Sequence, residues 1–327
     1  MEKHGVNTTA AVRKDQVSPL SDTEIDDLLE RTSRTFALCI PMLPSALRRQ
    51  VGVAYLLFRI ADTIEDSTMV SRKQKLQLLG DYTATLDAAD QALPRWPTLA
   101  KDLQSVSATS DEDDALLFSQ TARVIASSCE FEPSVRGIIL DHVGRSSTGM
   151  RRFVESGDSS GNIQLSTRSE LGHYCYCVAG MVGEMLTDLF LKHDSQLESA
   201  QDILKTAAVG FGEALQLVNI LKDCDSDQSE GRRFIPSDAS WDSLIEQAQQ
   251  RINIARQYID TLRDHGAEQA VIRFTMLPVL LASSTLALLR TDGPGAKLGR
   301  EEVAQLLLQL AASNEDERQV GEQGSLR

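Results

Sequence analysis

Two pairs of aspartates constrain this chain more than any other feature. In Gln216–Pro236, QLVNILKDCDSDQSEGRRFIP, the residues Gln216, Asn219, Asp223 and Asp227 recur at steps of three, four and four. That spacing places them on one stripe of an α-helix. Leu215, Leu217, Val218, Ile220 and Leu221 flank the stripe, so the same helix carries a buried face beside a polar one. The second pair lies upstream in Tyr55-Leu-Leu-Phe-Arg59-Ile-Ala-Asp62-Thr-Ile-Glu-Asp66, where Asp62 and Asp66 stand four apart at the end of an apolar run. Like charges at that spacing are mildly destabilising. Either pair alone reads as a solvated helix end; two pairs read as opposite walls of a cleft that share cations. About 160 positions separate the motifs, so they meet only if the chain folds as a single all-α domain.

The residue types say which cations. Amide and carboxylate oxygens are hard donors, the set that Mg²⁺ prefers. Gly231-Arg232-Arg233 follows the second pair, and Arg59 precedes Asp62 by one turn, with Tyr55 a turn earlier. Guanidiniums pair with phosphate oxygens in fork geometry. Carboxylates for metal beside arginines for phosphate point to a diphosphate site.

Charge excludes other classes. A net charge of −14 argues against a nucleic-acid partner, which would need a basic stripe. It leaves phosphorylated substrates open, because bound metal inverts the local field. The five cysteines (39, 129, 175, 177 and 224) are odd in number and sit mostly in apolar runs. They read as reduced core residues of a cytoplasmic protein, without zinc-site spacing. Residues 1–20 read as a disordered tail and 313–327 as a polar one. Phe274–Leu289 is apolar over 16 residues, short of the ~20 that span a bilayer, and contains Pro278. It reads as a buried helix, and no transmembrane anchor is expected.

Between the motifs the chain is helical by pattern. Ser21-Asp-Thr-Glu24 is a capping box, and Ser45, after Pro41 and Pro44, opens the helix that ends in the first acid pair. Apolar residues at three- and four-residue steps predict helices over 71–92, 111–130, 133–155, 238–265, 266–290 and 301–312. Pro94, Trp96 and Pro97 mark a loop. Asp111-Glu-Asp-Asp114 reads as a solvated helix start, where the dipole favours acids. In Tyr174–Met185, YCYCVAGMVGEM, the small residues Ala179, Gly180 and Gly183 fit tight helix packing or room for an apolar ligand.

These motifs resemble the squalene/phytoene synthase family of head-to-head prenyl transferases. The matching pieces are Ser33-Arg34-Thr35-Phe36, DTIED at 62–66, Gly149-Met150, YCYCVAGMVGEM, and QLVNILKDCDSD with GRRFIP. A further match, IRFTMLPVLLASSTLALL at 272–289, is more like the squalene branch. The resemblance implies an isoprenoid-synthase-type helical bundle around a central cavity, with residues 21–312 as the catalytic domain. It implies Mg²⁺ held by Asp62, Asp66, Asn219, Asp223 and Asp227. Farnesyl diphosphate would be bound by Arg34, Phe36, Tyr55, Arg59, Gln216, Asn219 and Arg232, with Tyr174 assisting proton movement and Phe274 shielding a carbocation. Lys297 and Arg300 resemble the basic segment used near NADPH. Cys177 departs from the Tyr or Arg that relatives often carry there. The implied product is squalene, released with peripheral membrane association. Alternatives are dehydrosqualene, presqualene diphosphate or phytoene without reduction, and a non-catalytic assembly-factor relative.

Overall fold

The computed structural model describes residues 17–33, 35–68, 70–87, 99, 102–103 and 112–310. Helix α1 (Asp22–Thr32) opens at the expected capping box: Ser21 Oγ accepts from the Glu24 N–H, and the Glu24 carboxylate accepts from the Ser21 N–H. The short α2 (Phe36–Cys39) and a 3₁₀ turn (Ile40–Met42) lead past Pro44 into α3 (Ser45–Asp66), which ends in the first acid pair. Next come α4 (Arg72–Asp87), α5 (Glu112–Ser128) and α6 (Pro133–Ser156). The expected loop at Pro94–Pro97 lies outside the described residues.

The central rod is α7 (Arg168–Cys175), an i→i+5 turn at Tyr176–Gly180, and α8 (Met181–His193). A second capping box, Thr167 with Glu170, starts it. The longest helix, α9 (Gln201–Ser229), carries the second acid pair at its C-terminal end. Helices α10 (Trp241–Asp264) and α11 (Gln269–Thr291) follow, and 300–310 form α12. Among the described residues there is no strand; an isolated bridge joins Gln164 and Arg233.

Buried residues from these helices merge into a continuous core. Helix α3 packs on α1, α5 and α6, while α9 packs on α8, α10 and α11. Backbones set the approach of the rod to α9. A Cβ on Gly183 would stand 2.0 Å from the Ala208 carbonyl oxygen, and one on Gly212 would stand 2.0 Å from that of Ala179. Only glycine permits a crossing that close.

Two expectations change. The 274–289 run belongs to a 23-residue helix, long and apolar enough to cross a membrane, as is the rod from Arg168 to His193. In both, more than half of the most apolar window is buried inside the protein, because these helices build the core. None of the five cysteines is in a disulfide, yet Cys129 and Cys224 are half-buried.

Candidate active site

The last turn of α3 forms one wall. Asp62 and Asp66 face a cavity of about 650 Å³ that is also lined by Glu65, Tyr174, Gln216, Asn219, Lys222 and Asp223. Asp62 is partly buried, and desolvation pushes its carboxyl up to about 7, against the pull of Arg59 and with the push of Asp66. Asp66 is raised by the same desolvation and held down by Arg232, Arg59 and Lys75. Glu65 is buried, and its Oε2 accepts from the Tyr174 hydroxyl at 3.0 Å. Desolvation also drives Glu65 well above the usual carboxylate range.

The end of α9 forms the opposite wall. Asp223 and Asp227 each already have a cation. Asp223 lies 3.1 Å from Lys222 Nζ and 2.9 Å from Lys297 Nζ. Asp227 lies 2.9 Å from Arg232 Nη2. Arg232 spans the cleft: its Nη1 is 3.6 Å from Asp66, so one guanidinium touches both acid motifs. The Arg232 loop is fixed from below. Gly231 turns at φ 84°, the Gln164 amide donates to its carbonyl, and the Arg233 and Leu165 N–H groups bond across the bridge.

Beyond the acids the cavity turns apolar. A second chamber of about 240 Å³ shares Phe36, Tyr55, Arg59, Asp62 and Gln216 with the first, then runs past Val178, Gly183, Phe211 and Gly212 to Phe274. Phe274 is 1% exposed and meets Phe190 edge to face at 6.1 Å. Pro278, also in the lining, removes one backbone donor from α11 beside it. The small residues of the rod therefore serve both of their expected uses, close packing on α9 and a bare cavity wall.

A family model described as squalene/phytoene synthase matches residues 29–240. The chain belongs to the squalene/phytoene synthase family. A squalene synthase of Eremothecium gossypii is 28% identical over 285 residues, covering 80% of this chain and 60% of its own. The solved complex of TcSQS with the ligand BPH1237 superposes at TM-score 0.69 with 22% identity, over 86% of this chain and 84% of that one. A dehydrosqualene synthase complex with ligand superposes at 0.54 with 20% identity, over 90% and 96%. The fold is the isoprenoid-synthase helical bundle. The chain spans 45% to 64% of the length of curated squalene synthases that it matches.

Against this family frame the expected site residues divide. The structure gathers Phe36, Tyr55, Arg59, Asp62, Asp66, Tyr174, Gln216, Asn219, Asp223, Phe274 and Lys297 around the joined cavities, with Asp227 and Arg232 tied to that rim. Arg34 lies outside the described residues. Arg300 is exposed in the first turn of α12 and does not line either chamber. Sequence reasoning missed Glu65, although it stands inside the DTIED motif three residues after Asp62, because its partners Tyr174 and Lys75 come from other helices. Glu112, Asp113 and Asp114 do open α5, as expected of a helix start, but two of them are not simply solvated. Asp113 pairs with Arg31, and Asp114 accepts from Arg59 at 3.1 Å and from Thr63 at 3.3 Å, so both steady the structure. Asp111 lies outside the described residues. Cys177 is explained: it packs against Gly149, where an added Cβ would stand 2.6 Å from its Sγ.

The donor set suits Mg²⁺. Among the described residues no three carboxylate, imidazole or thiolate groups form a cage for an ion by themselves. Mg²⁺ needs none, since it is usually held by one or two carboxylates plus substrate phosphates and waters. Facing pairs of aspartates with a gap between them match that demand.

Proposed function

We propose that this chain is a Mg²⁺-dependent prenyltransferase that joins two farnesyl diphosphates head to head, through presqualene diphosphate, and reduces the product to squalene with NADPH. Residues 21–312 would form the catalytic unit. One observation carries the reading: an acidic chamber adjoins an apolar one, with Asp62 and Arg59 lining both. A diphosphate head on an isoprenoid tail has that division of polarity.

When bound, Mg²⁺ supplies the charge that lets a diphosphate leave. Asp62, Asp66, Asn219, Asp223 and Asp227 would hold it. Arg34 and Arg232 would take the remaining phosphate oxygens, with Arg59, steadied by Asp114, as a further cation where the two chambers share their walls. Phe36, Tyr55 and Gln216 line the junction of the chambers and hold the first isoprene unit beside the acids. The apolar walls exclude water from the allylic cation until the double bond of the second molecule attacks it. Phe274 offers its ring face to positive charge. The proton lost on cyclopropane closure departs at the polar end, where Tyr174 and Glu65 share a hydrogen bond.

NADPH, when bound, supplies hydride, with Lys297 and Arg300 as cations for its 2′-phosphate. The Lys297–Asp223 pair and an Arg300 that lines neither chamber favour a second reading: condensation without reduction, ending at presqualene diphosphate or dehydrosqualene, or at phytoene from a longer substrate. Product analysis with farnesyl diphosphate and Mg²⁺, with and without NADPH, separates them. Squalene that depends on NADPH supports the first reading; products indifferent to NADPH support the second; no condensation sinks both. Leu38, exposed at the cavity rim, is where an apolar product would pass to a membrane surface from a cytoplasmic enzyme.

A further inference from the structure

Lys75 on α4 is 1% exposed, a buried cation with no part in the scheme above. Its Nζ donates to the backbone carbonyl of Glu65 at 2.6 Å. That carbonyl belongs to the last turn of α3, where carbonyls lack partners within the helix. The negative end of the helix dipole falls at the same place, beneath Asp62, Glu65 and Asp66. No basic residue of α3 itself occupies its last turn. The counter-charge and the cap come instead from a neighbouring helix, packed under the acid motif.

The clamp continues past Glu65. The carboxylate of that residue accepts from Tyr174 on the central rod, and its Oε1 has no hydrogen-bond partner. A line of bonds thus runs from α4 through the end of α3 to α7. We propose that Lys75 is a positioning residue: by holding the Glu65 carbonyl it fixes the last turn of α3, and so sets the Asp62 and Asp66 carboxylates and the Glu65–Tyr174 bond for the metal–diphosphate cluster. The inference rests on the proposed diphosphate chemistry of this cleft.

Charge and positioning predict opposite signs, which makes the idea testable. On charge alone, losing an ammonium beside a metal site leaves Mg²⁺ binding unchanged or tighter. If Lys75 positions the carboxylates, losing it weakens binding, by the ~10- to 100-fold typical of groups that orient metal ligands. The experiment is calorimetric titration of Mg²⁺ in the presence of inorganic pyrophosphate on wild type and Lys75→Met, alongside farnesyl diphosphate turnover at varied Mg²⁺. Weaker Mg²⁺ binding and a matching rise in the Mg²⁺ needed for half-maximal turnover support the proposal. Wild-type or tighter binding in a folded Lys75→Met overturns it, even if the melting temperature falls. Should Lys75→Met fail to fold, Lys75→Gln, which keeps a neutral donor on a shorter stem, takes its place, with weakened binding again expected and wild-type affinity again decisive against. If wild type itself neither binds Mg²⁺ with pyrophosphate nor turns over farnesyl diphosphate, the functional reading has failed; if wild type does both and the variants match it, only the role of Lys75 has.

Discussion

Asp62 links the proposed chemistry to a pH signature. Asp62→Asn or Asp223→Asn should cut turnover by roughly two to three orders of magnitude, the several kcal/mol of charge stabilisation that a held metal supplies. Circular dichroism should show the helices intact, since relieving like-charge repulsion does not unfold α3 or α9. The Asp62 carboxyl is pushed up to about 7, above its value in the unfolded chain. Without divalent cations the folded state therefore holds a proton that the unfolded state releases. Stability should fall as pH rises from about 4 to about 7 and then level off. Mg²⁺ displaces that proton, so its affinity should climb over the same window. Thermal melts in chelator and Mg²⁺ titrations across pH check both trends, and Asp62→Asn should reduce them, leaving the part that the raised Asp66 and Glu65 carboxyls contribute. Tyr174→Phe should slow turnover by ~10²- to 10⁴-fold if the hydroxyl moves a proton. It also strips Glu65 of its hydrogen bond, so its melting temperature should be measured beside its rate.

At the scale of elements, helices were legible wherever a period and a cap coincided. Ser21, Ser45 and Pro133 begin helices as their sequence signals say. The acid stripes were legible because one-face spacing is a property of the helix itself. Partners contributed by other helices were not. Nothing in the sequence near Arg59 announces Asp114, and nothing near Glu65 announces Lys75 or Tyr174, since those pairings form only on packing. The i→i+5 turn at Tyr176–Gly180 was equally hidden. It inserts one residue into the rod, so Tyr174 faces the acids while Gly183 faces the apolar chamber. Deleting Val178 should turn α8 by ~100° relative to α7 and abolish turnover. Gly212→Ala presses a methyl into the Ala179 carbonyl and should destabilise by ~1–3 kcal/mol, read as a lowered melting temperature.

Taken whole, the molecule folds a chain of net charge −14 around an acidic cleft and supplies that cleft with its own cations. Arg232 ties Asp66 to Asp227 across the gap, and Lys297 reaches Asp223 from the segment before α12. Arg232→Met should lower the melting temperature in chelator, because a largely buried charge group loses its counter-ion. Mg²⁺ with pyrophosphate should restore part of the loss, and calorimetric melts with and without them measure it. On the proposed reading, loading a magnesium diphosphate would exchange ion partners in this cleft. Carboxylates would trade guanidinium and ammonium for Mg²⁺, while phosphate would take up the released arginine and lysine. Loading of this kind would be a salt metathesis, by which a strongly acidic protein could admit an anionic substrate.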